Sequence, residues 1–136
     1  MNVIPFRRPK FYAFCFYEGG TNVIQEWFFR CGLEETAWPA FNSILDIYET
    51  GGVDAIRAGC VELERGFWGL KIAQASGMMP CVIFKLGPFD EETEITFLAV
   101  GTWEKSRKRV RPFTTVGQAE ENLEKLLSDK TRRRRA

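Results

Sequence analysis

Apolar residues recur along this chain with two different periods. Over residues 23–31, Val23, Ile24, Trp27, Phe28 and Cys31 fall at i, i+1, i+4, i+5 and i+8, which is one stripe of a helix. Thr21 or Asn22 can cap its start, and Gly32 is placed to end it. A second helix is predicted from about Thr36, with Pro39 tolerable in its first turn. Phe41, Ile44, Leu45 and Tyr48 form its apolar face, and Gly51-Gly52 stop it. The two helices are close in sequence and predict an αα-hairpin. A last helix is predicted over residues 117–128, with Ala119, Leu123, Leu126 and Leu127 on its apolar side.

The other apolar runs are short and bounded by turn residues, as strands are. KFYAFCFY, residues 10–17, lies between Pro9 and Gly19-Gly20. FWGLKIA, PCVIFKL and EITFLAVGTW follow one another later in the chain. The link QASGM is short and contains Gly77, which suits an antiparallel hairpin, whereas GPFDEET is longer and acidic. Residues 53–65 carry no clean period and read as a helical turn leading to the sheet. The order is β-α-α-β-β-β-α, an α+β fold. It predicts a single, antiparallel-rich sheet of about four strands with the helix hairpin on one face. Residues 1–128 read as one domain, and residues 129–136 as a basic tail without fixed structure.

Composition narrows the chemistry. Of 136 residues, 45% are hydrophobic and 27% charged, a globular balance with enough apolar side chains for a core. No apolar run reaches the roughly 18 residues of a membrane span, and MNVIPFRRPK lacks a signal-peptide apolar stretch, so a cytoplasmic protein is expected. Cys15, Cys31, Cys60 and Cys81 show no C-x-x-C spacing and read as buried thiols. Histidine is absent, which excludes His-dependent triads and His-ligated metals. No metal or cofactor is expected.

The net charge of +1 conceals a segregation. Residues 1–100 hold 8 Lys and Arg against 13 Asp and Glu, while residues 101–136 hold 11 against 5. Lys105, Arg107, Lys108, Arg109 and Arg111 crowd the segment directly after the last predicted strand. Cations delivered by a sheet suit a phosphate-rich partner, through charge neutralisation and counterion release. The same cluster also reads as a solvated loop. Trp103 reads either as core or as a base-stacking platform. Lys71 and Lys85 stand on strands and read either as solvated or as substrate contacts. Glu62 and Glu64 could supply a general base or be surface charges.

Three phrases resemble the RelE/ParE toxin superfamily, and most of all its phage-derived, HigB-like branch. FYEGGTNVIQEWFFRCG resembles that branch's opening strand, turn and helix. VELERGFWGLKI resembles its central phrase, and FLAVGTWEKSRKRVRP its basic phrase. QAEENLEKLL fits its closing helix, so the likeness spans about residues 10–128. The resemblance implies the toxin of a type II toxin–antitoxin pair, a ribosome-dependent, metal-independent mRNA endoribonuclease. Its implied partners are the ribosome, mRNA and a cognate antitoxin, expected to be a helix-turn-helix protein. In such chemistry a 2′-hydroxyl attacks the adjacent phosphate while cations stabilise the growing negative charge. Lys71, Lys105 and Arg107 are the implied catalytic residues. Lys108, Arg109, Arg111 and Trp103 are the implied RNA contacts. Pro80 and Cys81 stand where the family has an aromatic residue and an Arg, and Glu104 stands at one of its basic positions. These departures imply reduced cleavage. The alternative is a non-catalytic, phage-derived module that binds RNA or protein on the same fold.

Overall fold

The computed structural model describes residues 10–74 and 77–136. β1 (Tyr12–Glu18) is an aromatic-rich strand that turns through Gly19 and Gly20 into β2 (Thr21–Asn22). Asn22 then caps α1 (Val23–Arg30): its Oδ1 accepts from the amides of Ile24 and Gln25 at 3.0 and 3.2 Å. Of the two capping candidates, Asn22 holds the position, and it satisfies two of the helix's unpaired donors. Glu26 in the first turn and Arg30 in the last suit the helix dipole. α2 (Ala37–Ile56) begins where Thr36 and Pro39 predict. The expected stop at Gly51-Gly52 is a kink instead. Gly52 is non-helical (φ 71°, ψ −165°), and helical turns resume beyond it to Ile56. Its positive φ favours glycine, and a Cβ there would meet the Phe11 ring at 2.9 Å, so the kink brings the chain against β1's approach.

β3 (Cys60–Glu62), β4 (Trp68–Lys71), β5 (Pro80–Leu86) and β6 (Glu94–Glu104) follow, each antiparallel to the one before. β6 returns through β7 (Arg109–Arg111) into α3 (Thr115–Ser128), and the chain ends on β8 (Arg133–Arg135). Among the described residues the sheet has eight strands in the path β2-β1-β6-β5-β4-β3, with β7 on β6 and β8 on β1. The α+β class and the order of the main elements agree with the sequence. The expected four strands correspond to β1, β4, β5 and β6. Four strands of two or three residues extend them, too short to show a period-2 pattern. The sheet is also mixed, because β1 runs parallel to β6.

Alternation along the central strands divides the core. Val82 and Phe84 join Ile24, Phe28, Phe41, Leu45 and Tyr48 on the α1/α2 face. Cys81 and Ile83 join Val116, Ala119 and Leu126 on the α3 face. The hairpin therefore covers one face, as expected, and α3 covers part of the other. α3 starts two residues before its predicted first residue, and Leu127, predicted to be apolar core, is exposed. Asn122 is buried in its stead, and its Nδ2 donates to the Leu98 carbonyl at 2.7 Å.

Residues 129–136, expected as an unstructured basic tail, form a 3-10 turn followed by β8 on the edge of β1. Three arginine side chains there lie on aromatic rings. Arg133 sits 3.8 Å from the Phe14 centroid, Arg134 4.5 Å from Tyr17, and Arg135 4.6 Å from Tyr12. Arg133 also pairs with Glu94 at 2.9 Å and donates to Thr96 Oγ1 at 3.0 Å. A segment read as an unstructured basic tail is thus ordered in large part by partners of Arg133 37 or more positions away in sequence, which no local pattern encodes.

Candidate nucleic-acid interface

Register assembles the site. Lys71 at the end of β4 pairs with Cys81 of β5, which pairs with Gly101 of β6. Residues directly opposite one another share a face, and so does Trp103, two positions beyond Gly101. Gly101 is required there by space. A Cβ would stand 2.6 Å from the Arg111 carbonyl oxygen, 2.7 Å from Val110 and 2.8 Å from Thr115. β7 can lie tightly against β6 only because that side chain is missing. Lys71 Nζ stands 5.4 Å from the Trp103 ring centroid, a cation–π contact.

The turn 105–108 joins β6 to β7 and closes on the Glu104↔Arg109 pair. Lys108 occupies the left-handed region at φ 52°, which lets the turn reverse the chain. Lys71, Trp103, Lys105 and Lys108, with Val61 and Met79, line one groove of about 580 Å³. Four of the seven implied site residues therefore meet in one place: an indole face, three ammonium groups and apolar walls.

The other three do not line that groove. Arg107, Arg109 and Arg111 converge on Glu104 at 3.4, 3.5 and 3.1 Å. Desolvation works against the Glu104 charge. The hydrogen bond from Arg111 and the charges of Arg109, Arg111 and Arg107 outweigh it, holding the carboxyl below its usual range. The one carboxylate in the basic segment is thus the hub of the arginine cluster. Phe113 was missed by sequence reasoning. It is 66% exposed, with the Arg109 and Arg111 guanidinium carbons 4.4 and 5.6 Å from its ring centroid. An aromatic residue two positions after a basic strand was the available signal.

Cys81, which the resemblance sets where the toxin superfamily has an Arg, is fully buried on the α3 face, and burial pushes its thiol up to about 12. No cation can act from that position. Burial likewise raises Cys60 to about 11 and Cys15 to about 12. Lys85 lies over the Phe67 ring at 5.1 Å and donates to the Arg65 carbonyl, away from the groove. Glu62 and Glu64 are exposed.

A second groove of about 600 Å³ lies between α1 and α3 over Leu98 and Ala99. Its charges are of both signs, Glu18 and Glu121 with Arg30 and Lys125, and Lys125 pairs with Glu18 at 3.2 Å. It concentrates no field of one sign, so the smaller lysine groove is the better anion site. Among the described residues no group of three His, Cys, Asp or Glu is placed to hold a metal ion, and no helix is long and apolar enough to cross a membrane. No protein-family model, curated protein or solved structure matches this chain.

Proposed function

We propose that this protein is a divergent toxin of the RelE/ParE type that holds single-stranded mRNA in the Lys71–Trp103 groove and cleaves it on the ribosome. The observation that carries the reading is the placement of Lys71 over Trp103 in a groove also lined by Lys105 and Lys108. Ammonium groups neutralise phosphate, and an indole face stacks a base without regard to sequence. The order of the longer elements, β1-α1-α2-β4-β5-β6-α3, is compatible with the same reading. In this reading Lys71 or Lys105, as the neutral amine, takes the proton of a 2′-hydroxyl, whose oxygen attacks the adjacent phosphate while the other lysines stay charged. The 5′-oxygen leaves with a proton from water, and the remaining cations stabilise the crowded phosphoryl oxygens. A cytoplasmic setting and a cognate antitoxin belong to the proposal.

The test is a cell-free translation system with the cleaved 5′ ends mapped. The intact protein should cut translated message. The double variant Lys71→Ala, Lys105→Ala should lose at least about 10²-fold in rate, the usual cost of one charge-stabilising group. Undiminished cutting by the double variant overturns the residue assignment. A non-catalytic RNA-binding module is the second reading. It is favoured by the burial of Cys81 where the family has an Arg, and by Glu104 among the arginines. RNA retention on a filter without any cutting, with ribosomes present, selects it.

A further inference from the structure

We infer that Arg107, Arg109 and Arg111 form a phosphate cradle that Glu104 occupies as an internal anion, and that a nucleoside phosphate displaces Glu104 and seats its base against Phe113. The carboxylate uses the cradle poorly. Only Arg111 makes a hydrogen bond to it, from Nη1 to Oε2 at 3.1 Å. Arg107 and Arg109 approach with Nε at 3.4 and 3.5 Å without one. Arg109 Nε is buried and has no hydrogen-bond partner among the described residues, a costly state that a better-placed acceptor relieves.

A planar carboxylate offers two oxygens to three guanidinium forks. A tetrahedral phosphate offers more oxygens in more directions, and arginine binds it through paired donors. The side chains have room to reorganise, since those of Arg107 and Arg111 are 67% and 53% exposed. Glu104 ends β6 at the turn, so its carboxylate can swing outward while the strand stays paired.

Phe113 supplies the second half of the site. A cleft of about 230 Å³ lies beside the cradle, walled by Leu63, Pro112 and Phe113 and rimmed by Lys108, Arg109 and, with the opposite charge, Glu64. Apolar walls with a cationic rim fit a base whose phosphate rests on the arginines. Lys108 lines both this cleft and the Lys71–Trp103 groove. A strand of RNA filling the groove would therefore pass its next phosphate to the cradle. The inference rests on the RNA reading for this source alone, because a free nucleotide presents the same chemistry. Glu104 acts as a threshold: weakly held anions leave it in place, and phosphate does not.

Three probes separate the sources: inorganic phosphate, AMP and a single-stranded oligoribonucleotide, each titrated calorimetrically against the full chain. Glu104→Gln should tighten binding of all three by roughly 3- to 10-fold at 0.1 M salt. It should also steepen the oligonucleotide's log–log salt dependence by about 0.7, one extra phosphate contact. Phe113→Leu should weaken AMP and the oligonucleotide but not inorganic phosphate. Arg107→Ala, at an exposed side chain, should weaken all three and serves if Glu104→Gln does not fold. Glu104→Gln binding no tighter for phosphate and AMP overturns the cradle. If the oligonucleotide still binds, the RNA reading survives that failure. Tighter phosphate and AMP with no oligonucleotide binding supports the cradle and overturns the RNA reading.

Discussion

Replacing Arg133 by Ala tests whether the arginine-rich strand is part of the folded core. Arg133 and Glu94 face each other at 2.9 Å with side chains each 11% exposed, so solvent screens the pair little. Glu94 also accepts from the Phe89 and Asp90 amides, both at 3.2 Å, which fixes its carboxylate in place. Removing one partner of a buried pair typically costs about 3–5 kcal/mol, because the other charge stays buried. The lost contact over Phe14 adds roughly 0.5–2 kcal/mol. Two things reduce the total: Glu94 keeps its amide donors, and water can enter if β8 leaves. The expected loss is therefore about 2–4 kcal/mol. Urea unfolding followed by tryptophan fluorescence measures it. With a slope of about 1.5 kcal/mol/M, the midpoint should fall by roughly 1.3–2.7 M. Arg134→Ala is the control: Arg134 is exposed and, among the described residues, its side chain lies over the Tyr17 ring with no ion pair, so its loss should stay below about 1 kcal/mol. The double variant Glu94→Gln, Arg133→Ala should fall short of the summed single losses, the mark of a coupled pair. Arg133→Ala losing no more than Arg134→Ala would refute the docking of this strand.

Gly101→Ala should destabilise the protein by about 1–3 kcal/mol and loosen β7, since the new Cβ meets the Arg111 carbonyl oxygen at 2.6 Å; denaturation and amide exchange at residues 109–111 check it. Replacing Arg107, Lys108 and Arg109 together by Ala should flatten the salt dependence of RNA binding by about 2 log–log units, and an unchanged slope counts against phosphate contact there. Cys31 is exposed, whereas burial holds Cys15 and Cys81 at about 12 and Cys60 at about 11; a thiol reagent at pH 8 should label Cys31 first, and rapid labelling of Cys81 would contradict its placement. The folded-state carboxyl of Glu104 is held below its usual range, so its stabilising effect is present above the unfolded carboxyl pKa and lost as pH falls through the folded value. The stability difference between wild type and Glu104→Gln should accordingly shrink on acidification, as pH-resolved thermal melts can show.

The long-period features were legible in the sequence because they are local. The stripe of Ile24 and Phe28, the cap at Asn22 and the short apolar run over Pro80–Leu86 are set by residues a few positions apart. The short strands were not legible, because β2, β3, β7 and β8 exist only through their partners. The site was legible in composition but not in arrangement. Lys71 and Trp103 lie in different strands, and only the register through Cys81 and Gly101 brings them together. Glu104 read as a single anomalous charge. Its meaning depends on the turn that folds Arg107, Arg109 and Arg111 back around it.

The pairing of β8 with β1 has a consequence for how the chain is made. β1 is synthesised about 120 residues before its partner β8, an interval on the order of 6 to 25 s at usual elongation rates. Its parallel partner β6 also arrives late. Until β6 is made the aromatic strand has neither of these neighbours, and until β8 follows one edge stays open; an open apolar edge is the surface on which nascent chains pair wrongly. Yield of soluble protein should therefore respond to synthesis rate and to chaperone supply more than final stability would indicate. Chains halted before residue 133 should be the ones that aggregate.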